Sequence, residues 1–154
     1  MPTITIRRST TQDAAAYVRI MGDLEVLPNL MQLPYTSDEI WRQRLTDNNA
    51  PGKTDLHLVA ELDGVVVGAL TWFVRPGLFH GGPWGYIDEL IVTARSQGRG
   101  IGDALISEVM RRFQAAGCKE AAVVTVLGND RAAALYRKHG MVDEALQLER
   151  HFDE

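Results

Sequence analysis

The run Gln97-Gly98-Arg99-Gly100-Ile101-Gly102 limits most tightly what this chain can fold into. It follows an apolar stretch, Tyr86 to Val92, and the turn Thr93-Ala94-Arg95-Ser96. It leads into Ile101, Leu105, Val109 and Phe113 at four-residue spacing. The stretch reads as a strand and the spacing as a helix with one apolar face, so the glycines stand where a strand hands over to a helix N-terminus. Amides in the first turn of a helix lack intrahelical partners, and the dipole there favours negative charge. Glycines at 98, 100 and 102 carry no Cβ to hold a ligand away, and Arg95 and Arg99 add positive charge, so the segment predicts a phosphate cradle.

Two nucleotide folds compete for such a loop and fail. A dinucleotide site wants Gly-x-Gly-x-x-Gly and an acid about 20 residues on, at the end of the next strand. Counted from Gly98 the sixth position is Asp103, and the next apolar run, Ala121 to Leu127, ends without a carboxylate. A Walker loop needs Gly-Lys-Ser/Thr, which is absent.

What remains is Gln97-x-x-Gly100-x-Gly102 after a strand, with a second run about 30 residues later, Asn129-Asp130-Arg131-Ala132-Ala133-Ala134-Leu135-Tyr136-Arg137-Lys138-His139-Gly140-Met141. The first resembles the acetyl-coenzyme A motif of the GNAT superfamily of N-acetyltransferases. The second resembles that family's Asn-x-x-Ala-x-x-Leu-Tyr-x-Lys-x-Gly-Phe signature, with only Met141 departing, apolar for apolar. The resemblance implies one α/β domain over residues 1–154: a mixed, mostly antiparallel sheet of about seven strands with helices on both faces, splayed between strands four and five. It implies acetyl-coenzyme A as acyl donor. Leu90, Ile91 and Val92 would line up with the pantetheine amides, Gln97, Gly98, Arg99, Gly100, Ile101 and Gly102 with the phosphates. Asn129 would stand at the strand exit and Tyr136 near the thioester sulfur.

The remainder of the chain is consistent with one domain. With 154 residues, 45% of them hydrophobic, there is room for a real core. The formal charge of −4 argues against nucleic acid, whose binding needs a basic face. No apolar run approaches the roughly 18 residues of a membrane span, and the N-terminus lacks a signal peptide's apolar stretch, so a cytoplasmic location is expected. The single cysteine, Cys118, reads as a bystander. Thr3 to Arg8 alternates as a first strand, and Thr10 or Thr11 caps a helix from Asp13 to about Met21. Leu24 to Tyr35, broken by Pro28 and Pro34, reads as loop. Thr36 and Glu39 form a capping box for a helix through Trp41 to about Thr46. Leu56 to Leu62 and Val65 to Phe73 are strands joined by Asp63-Gly64, a hairpin signal. Arg75 to Trp84 is a Gly- and Pro-rich loop containing His80, and the tail Val142 to Phe152 would supply the last strand or strands. The four histidines lie at no metal-ligand spacing, so no metal is expected.

Acyl transfer to an amine of pKa about 10 needs a base near neutral pH. Ala121 to Leu127 offers no ionisable side chain, which leaves Glu89, favoured, and Asp88, second. Period-2 geometry sends these neighbours to opposite faces unless a bulge intervenes. Either one has the alternative of simply pairing with an arginine or backbone amides. The resemblance places Tyr136 beside the sulfur, where it would supply a proton to the leaving thiolate. Its implied partner is a small-molecule primary amine. The stretch Leu30 to Ser37 with Trp41 is further similar to bacterial enzymes that N-acetylate free amino acids, which nominates Met31, Leu33, Tyr35 and Trp41 for the acceptor pocket. A polyamine or aminoglycoside acceptor, and a non-catalytic acetyl-coenzyme A sensor, are the alternatives, and a homodimer is a candidate assembly.

Overall fold

The Asp63-Gly64 pair adopts left-handed backbone at both residues, φ 51° and 83°. That twist joins two right-twisted strands without splaying them, and here it joins β2 (His57–Leu62) to β3 (Val65–Arg75). The computed structural model describes residues 1–22, 38–48, 57–150 and 152. β1 (Ile4–Arg8), β2, β3, β4 (Trp84–Val92) and β5 (Glu120–Val123) form one sheet in chain order. The first four neighbours pair antiparallel and β5 lies parallel to β4.

Helices cover both faces, as the apolar patterns require. On one side α3 (Ile101–Ala115) lays Ile101, Leu105, Ile106, Val109 and Phe113 on Leu58, Leu70, Trp72 and Ile87, and Tyr136 of α4 (Asp130–Lys138) joins them. On the other, α1 (Ala14–Gly22) and Leu45 of α2 (Asp38–Asn48) cover Val59, Val66 and Ala69. Close approach of α3 depends on missing side chains. A Cβ at Gly85 would lie 2.4 Å from the Phe113 ring, and one at Gly68 3.1 Å from Ile101. The start of α1 is tied to the sheet edge by Arg7, which donates to both carboxylate oxygens of Asp13 at 2.8 and 2.9 Å and to Glu61 at 2.7 Å. Thr10 and Asp13 close a reciprocal capping box.

Two expectations need correction. The described residues hold five strands, not seven, and β5 ends at Val123 rather than Leu127. The tail alternates as a strand would, yet joins no sheet among the described residues. Val142, Leu146, Leu148 and Phe152 are 70%, 80%, 84% and 80% exposed. Alternation makes a segment fit for a sheet, but a strand exists only with a partner. The capping-box residue Thr36 lies outside the described residues.

Candidate active site

β4 and β5 run together for only four rungs, Trp84↔Glu120 to Ile87↔Val123. Beyond Ile87, β4 continues to Val92 with no partner on that side among the described residues, so the sheet opens into a slot. Which backbone groups face the slot follows from the β3 side. Thr93 donates to Val67 O at 2.9 Å, and antiparallel alternation turns Ile91 and Glu89 the same way. Leu90 and Val92 therefore present their amides and carbonyls to the slot, while the backbone of Ile91 serves β3. Gln97 Nε2 donates to Val92 O at 3.2 Å, as this orientation requires.

The slot begins at a β-bulge. Thr71 stands opposite Glu89 and Trp72 opposite Ile87, which leaves Asp88 as the extra residue. Without it Asp88 and Glu89 would point to opposite faces. With it both are exposed, and the Asp88 charge acts on Glu89 and on Tyr86, which share the α1–α2 side. Glu89 accepts from Thr71 Oγ1 at 3.2 Å. Desolvation by the surrounding protein, then the Asp88 charge, raise its pKa above the usual carboxylate value, against Thr71 and Arg44 of α2.

At the slot's other end the glycine run turns into α3. Gly98 and Gly100 have φ of 77° and 80°, and an added Cβ at either would meet open space. They are glycines for the backbone conformation, which clears the approach to the α3 N-terminus. Gly102 has a packing duty as well. Its missing Cβ makes room for Leu135 of α4, whose Cδ2 would lie 2.8 Å away, so it serves helix packing. Ile101 is a core residue. The first intrahelical bond runs from Ala104 N to Gly100 O, so the amides just before Ala104 remain available. Arg95 and Arg99 are exposed beside them, and Arg131 of α4 donates to Gln97 Oε1 at 2.6 Å. These residues suit a polyphosphate, with fixed amides and three cations around one helix end.

Asn129 caps α4, its Oδ1 accepting from Ala132 N at 3.3 Å. Tyr136 is buried on the α3 side, and that burial raises its pKa to about 12. His80 is four residues before Trp84, stacked on its ring and touching Glu120, and is not grouped with the carboxylates. Met31, Leu33 and Tyr35 lie outside the described residues, as does the side chain of Trp41 on α2. Among the described residues, no three His, Cys, Asp or Glu side chains gather as a metal site, and no helix is long and apolar enough to cross a membrane. Thr71 belongs to no motif and Arg131 fills a variable position of the second one; strand register and helix docking bring them in.

Residues 24–141 match the Acetyltransferase (GNAT) family. The chain is 35% identical over 143 residues to the L-amino acid N-acetyltransferase AaaT of Escherichia coli (strain K12), covering 91% of this chain and 83% of that protein. It is 29% identical to aminoglycoside N(6')-acetyltransferase type 1 of Stenotrophomonas maltophilia, covering 88% and 84%. The solved structure of aminoglycoside N-acetyltransferase AAC(6')-Iy in complex with CoA superimposes with a TM-score of 0.73 at 20% identity, over 98% of this chain and 96% of that one. The chain therefore belongs to the GNAT family, whose acetyltransferases use acetyl-coenzyme A.

Proposed function

We propose that the protein transfers an acetyl group from acetyl-coenzyme A to the primary amine of a small molecule, a free amino acid in the first instance. The observation that carries this reading is the slot itself: it opens at the bulge bearing Asp88 and Glu89 and runs along Leu90 and Val92 to the glycine turn. Acetyl-coenzyme A supplies an activated acetyl thioester. Gln97 to Gly102, with Arg131, would hold its phosphates, the slot-facing amides of Leu90 and Val92 and the Leu90 carbonyl its pantetheine arm, with Asn129 at the strand exit.

The slot passes through the sheet, and the ionisable groups divide between its two sides. Glu89 faces the α1–α2 side and receives the proton of the incoming amine. A raised pKa makes it a stronger base than an ordinary glutamate. Asp88 holds the acceptor as an ammonium until then. Tyr136 lies on the α3 side. At a pKa of about 12 its proton would pass to a free thiolate, at about 8.5, only uphill by roughly 5 kcal/mol. Its role is therefore to donate a hydrogen bond to the departing sulfur and steady its charge.

The amino-acid preference is supported by the 35% identity to the L-amino acid enzyme and by the apolar and aromatic set Met31, Leu33, Tyr35 and Trp41. The relative named for aminoglycosides and the carboxylate pair favour a polycationic acceptor as the second reading. An acceptor screen read by coenzyme A release decides between them, comparing amino acids, their carboxamides, polyamines and aminoglycosides. Release only with the last two removes the amino-acid reading; tight acetyl-coenzyme A binding with no release from any amine leaves a sensor. A homodimer is part of the proposal, suggested by the apolar tail and the open β5 edge, and light scattering measures it.

A further inference from the structure

Thr71, Phe73 and Arg75 alternate along β3, so their side chains share the α1–α2 face, and their β4 partners are Glu89, Tyr86 and Trp84. The carboxylate end of this row is the site already described; the other end is not yet explained. Phe73 and Tyr86 stack with centroids 4.9 Å apart at 17°, Trp84 meets Tyr86 edge-on at 5.9 Å, and the Arg75 guanidinium lies 4.5 Å above the Phe73 ring. All three rings are half-buried, and none belongs to either packed core cluster among the described residues. An aromatic surface that leads from the carboxylates and ends at a cation matches a ligand with the same order of groups.

We infer that this row is the acceptor subsite: Phe73 and Tyr86 receive the side chain of an apolar or aromatic α-amino acid, and Arg75 binds its α-carboxylate. The inference rests on the acetyltransfer reading above and specifies its acceptor. A guanidinium stacked on a ring keeps its N–H edge free, and that planar edge matches a carboxylate with two parallel bonds. One two-residue step of β3, roughly 7 Å, separates Thr71, the partner of Glu89, from Phe73 beneath the guanidinium, so the carboxylate and the cation belong to neighbouring positions of one row. Stacked rings contribute side-chain contact beyond area alone. Polyamines and aminoglycosides carry further ammonium groups, which Arg75 repels.

The test compares phenylalanine, phenylalaninamide and phenethylamine as acceptors for the wild type, Arg75→Ala, Arg75→Lys and Phe73→Leu, with acetyl-coenzyme A affinity measured by calorimetry as the check on folding. In Arg75→Ala the ratio of kcat/KM for phenylalanine to that for phenethylamine should fall by about tenfold or more, mainly through KM, with partial recovery in Arg75→Lys. Phe73→Leu should raise KM for all three. Equal losses for phenylalanine and phenethylamine in Arg75→Ala, at unchanged acetyl-coenzyme A affinity, overturn the subsite. A wild type that acetylates amines but ignores the carboxylate overturns the subsite and leaves acetyltransfer standing. A wild type that acetylates no amine removes both.

Discussion

Glu89 and Tyr136 occupy opposite sides of one slot, and their chemistry is separable residue by residue. Removing the base should lower kcat/KM by roughly 10² in Glu89→Gln. Because desolvation by the surrounding protein and the Asp88 charge raise the Glu89 pKa, wild-type activity should climb with pH through a midpoint above the usual 4.5, and that acid limb should vanish in the variant. An unchanged profile would move the base to Asp88 or to water. The same raised pKa means that ionised Glu89 opposes folding at neutral pH, so Glu89→Gln should melt no lower than the wild type at pH 7. Tyr136→Phe should lower kcat by about 10² while acetyl-coenzyme A affinity stays nearly constant, the result of losing one hydrogen bond to developing charge. Equal loss of affinity would make Tyr136 a packing residue alone.

At the scale of elements, the glycines of one short run have different duties. Gly100 holds φ 80° in open space, so Gly100→Ala strains the backbone by roughly 1–2 kcal/mol and obstructs the helix N-terminus. Gly102→Ala instead drives a methyl to within 2.8 Å of Leu135, an overpacking cost of about 1–3 kcal/mol between α3 and α4. Both variants should melt lower, but only Gly100→Ala should lose acetyl-coenzyme A affinity out of proportion to stability. Paired calorimetry and thermal melts would show it. Equal affinity losses would show that the Cβ position of Gly102 borders the cradle too.

Across the whole molecule, stability against acid should fall in two steps. Burial holds the His57 pKa below its usual 6.5, so the unfolded chain takes up a proton that the folded chain refuses. That stability is complete above about 6.5 and declines as pH falls toward the folded-state value. Burial also works to raise the Asp13 pKa, but hydrogen bonds from Arg7 and the Thr10 amide outweigh it and leave it lowered. The Asp13 contribution is thus present above 3.8 and lost as pH drops through the lowered value. Tm followed against pH should show both declines, and His57→Gln should abolish the upper one. Asp13→Asn should cost about 1–3 kcal/mol at neutral pH by leaving the Arg7 fork half-paired. A Tm unchanged in Asp13→Asn would show that β1 and α1 are joined without it.

Local rules suffice for part of this protein, and long-range pairing decides the remainder. The hairpin at Asp63-Gly64, the α3 stripe of Ile101, Leu105, Val109 and Phe113, and the two motifs around Gly100 and Tyr136 follow from backbone conformation and short-period spacing, so they are readable in the sequence. Strand count is not. Val142 to Phe152 has the alternation of a strand but belongs to no sheet among the described residues, and strand pairing is a property of two segments. The carboxylates show the same limit. Adjacent on a regular strand, Asp88 and Glu89 would part to opposite faces; a one-residue offset between Thr71 and Trp72 on the neighbouring strand sets the bulge between them. Gly102 was legible as a glycine, but not as a glycine for Leu135, because α4 docks there from over 30 residues away. The sequence by itself determined the family, the glycine turn that opens α3 and the helix that bears Tyr136, since each is written in residues close along the chain. Only the tertiary structure decided which edge of β4 is open, which face Glu89 takes and that Phe73, Arg75, Trp84 and Tyr86 stand in one row with it, because register between strands joins residues that no local pattern connects.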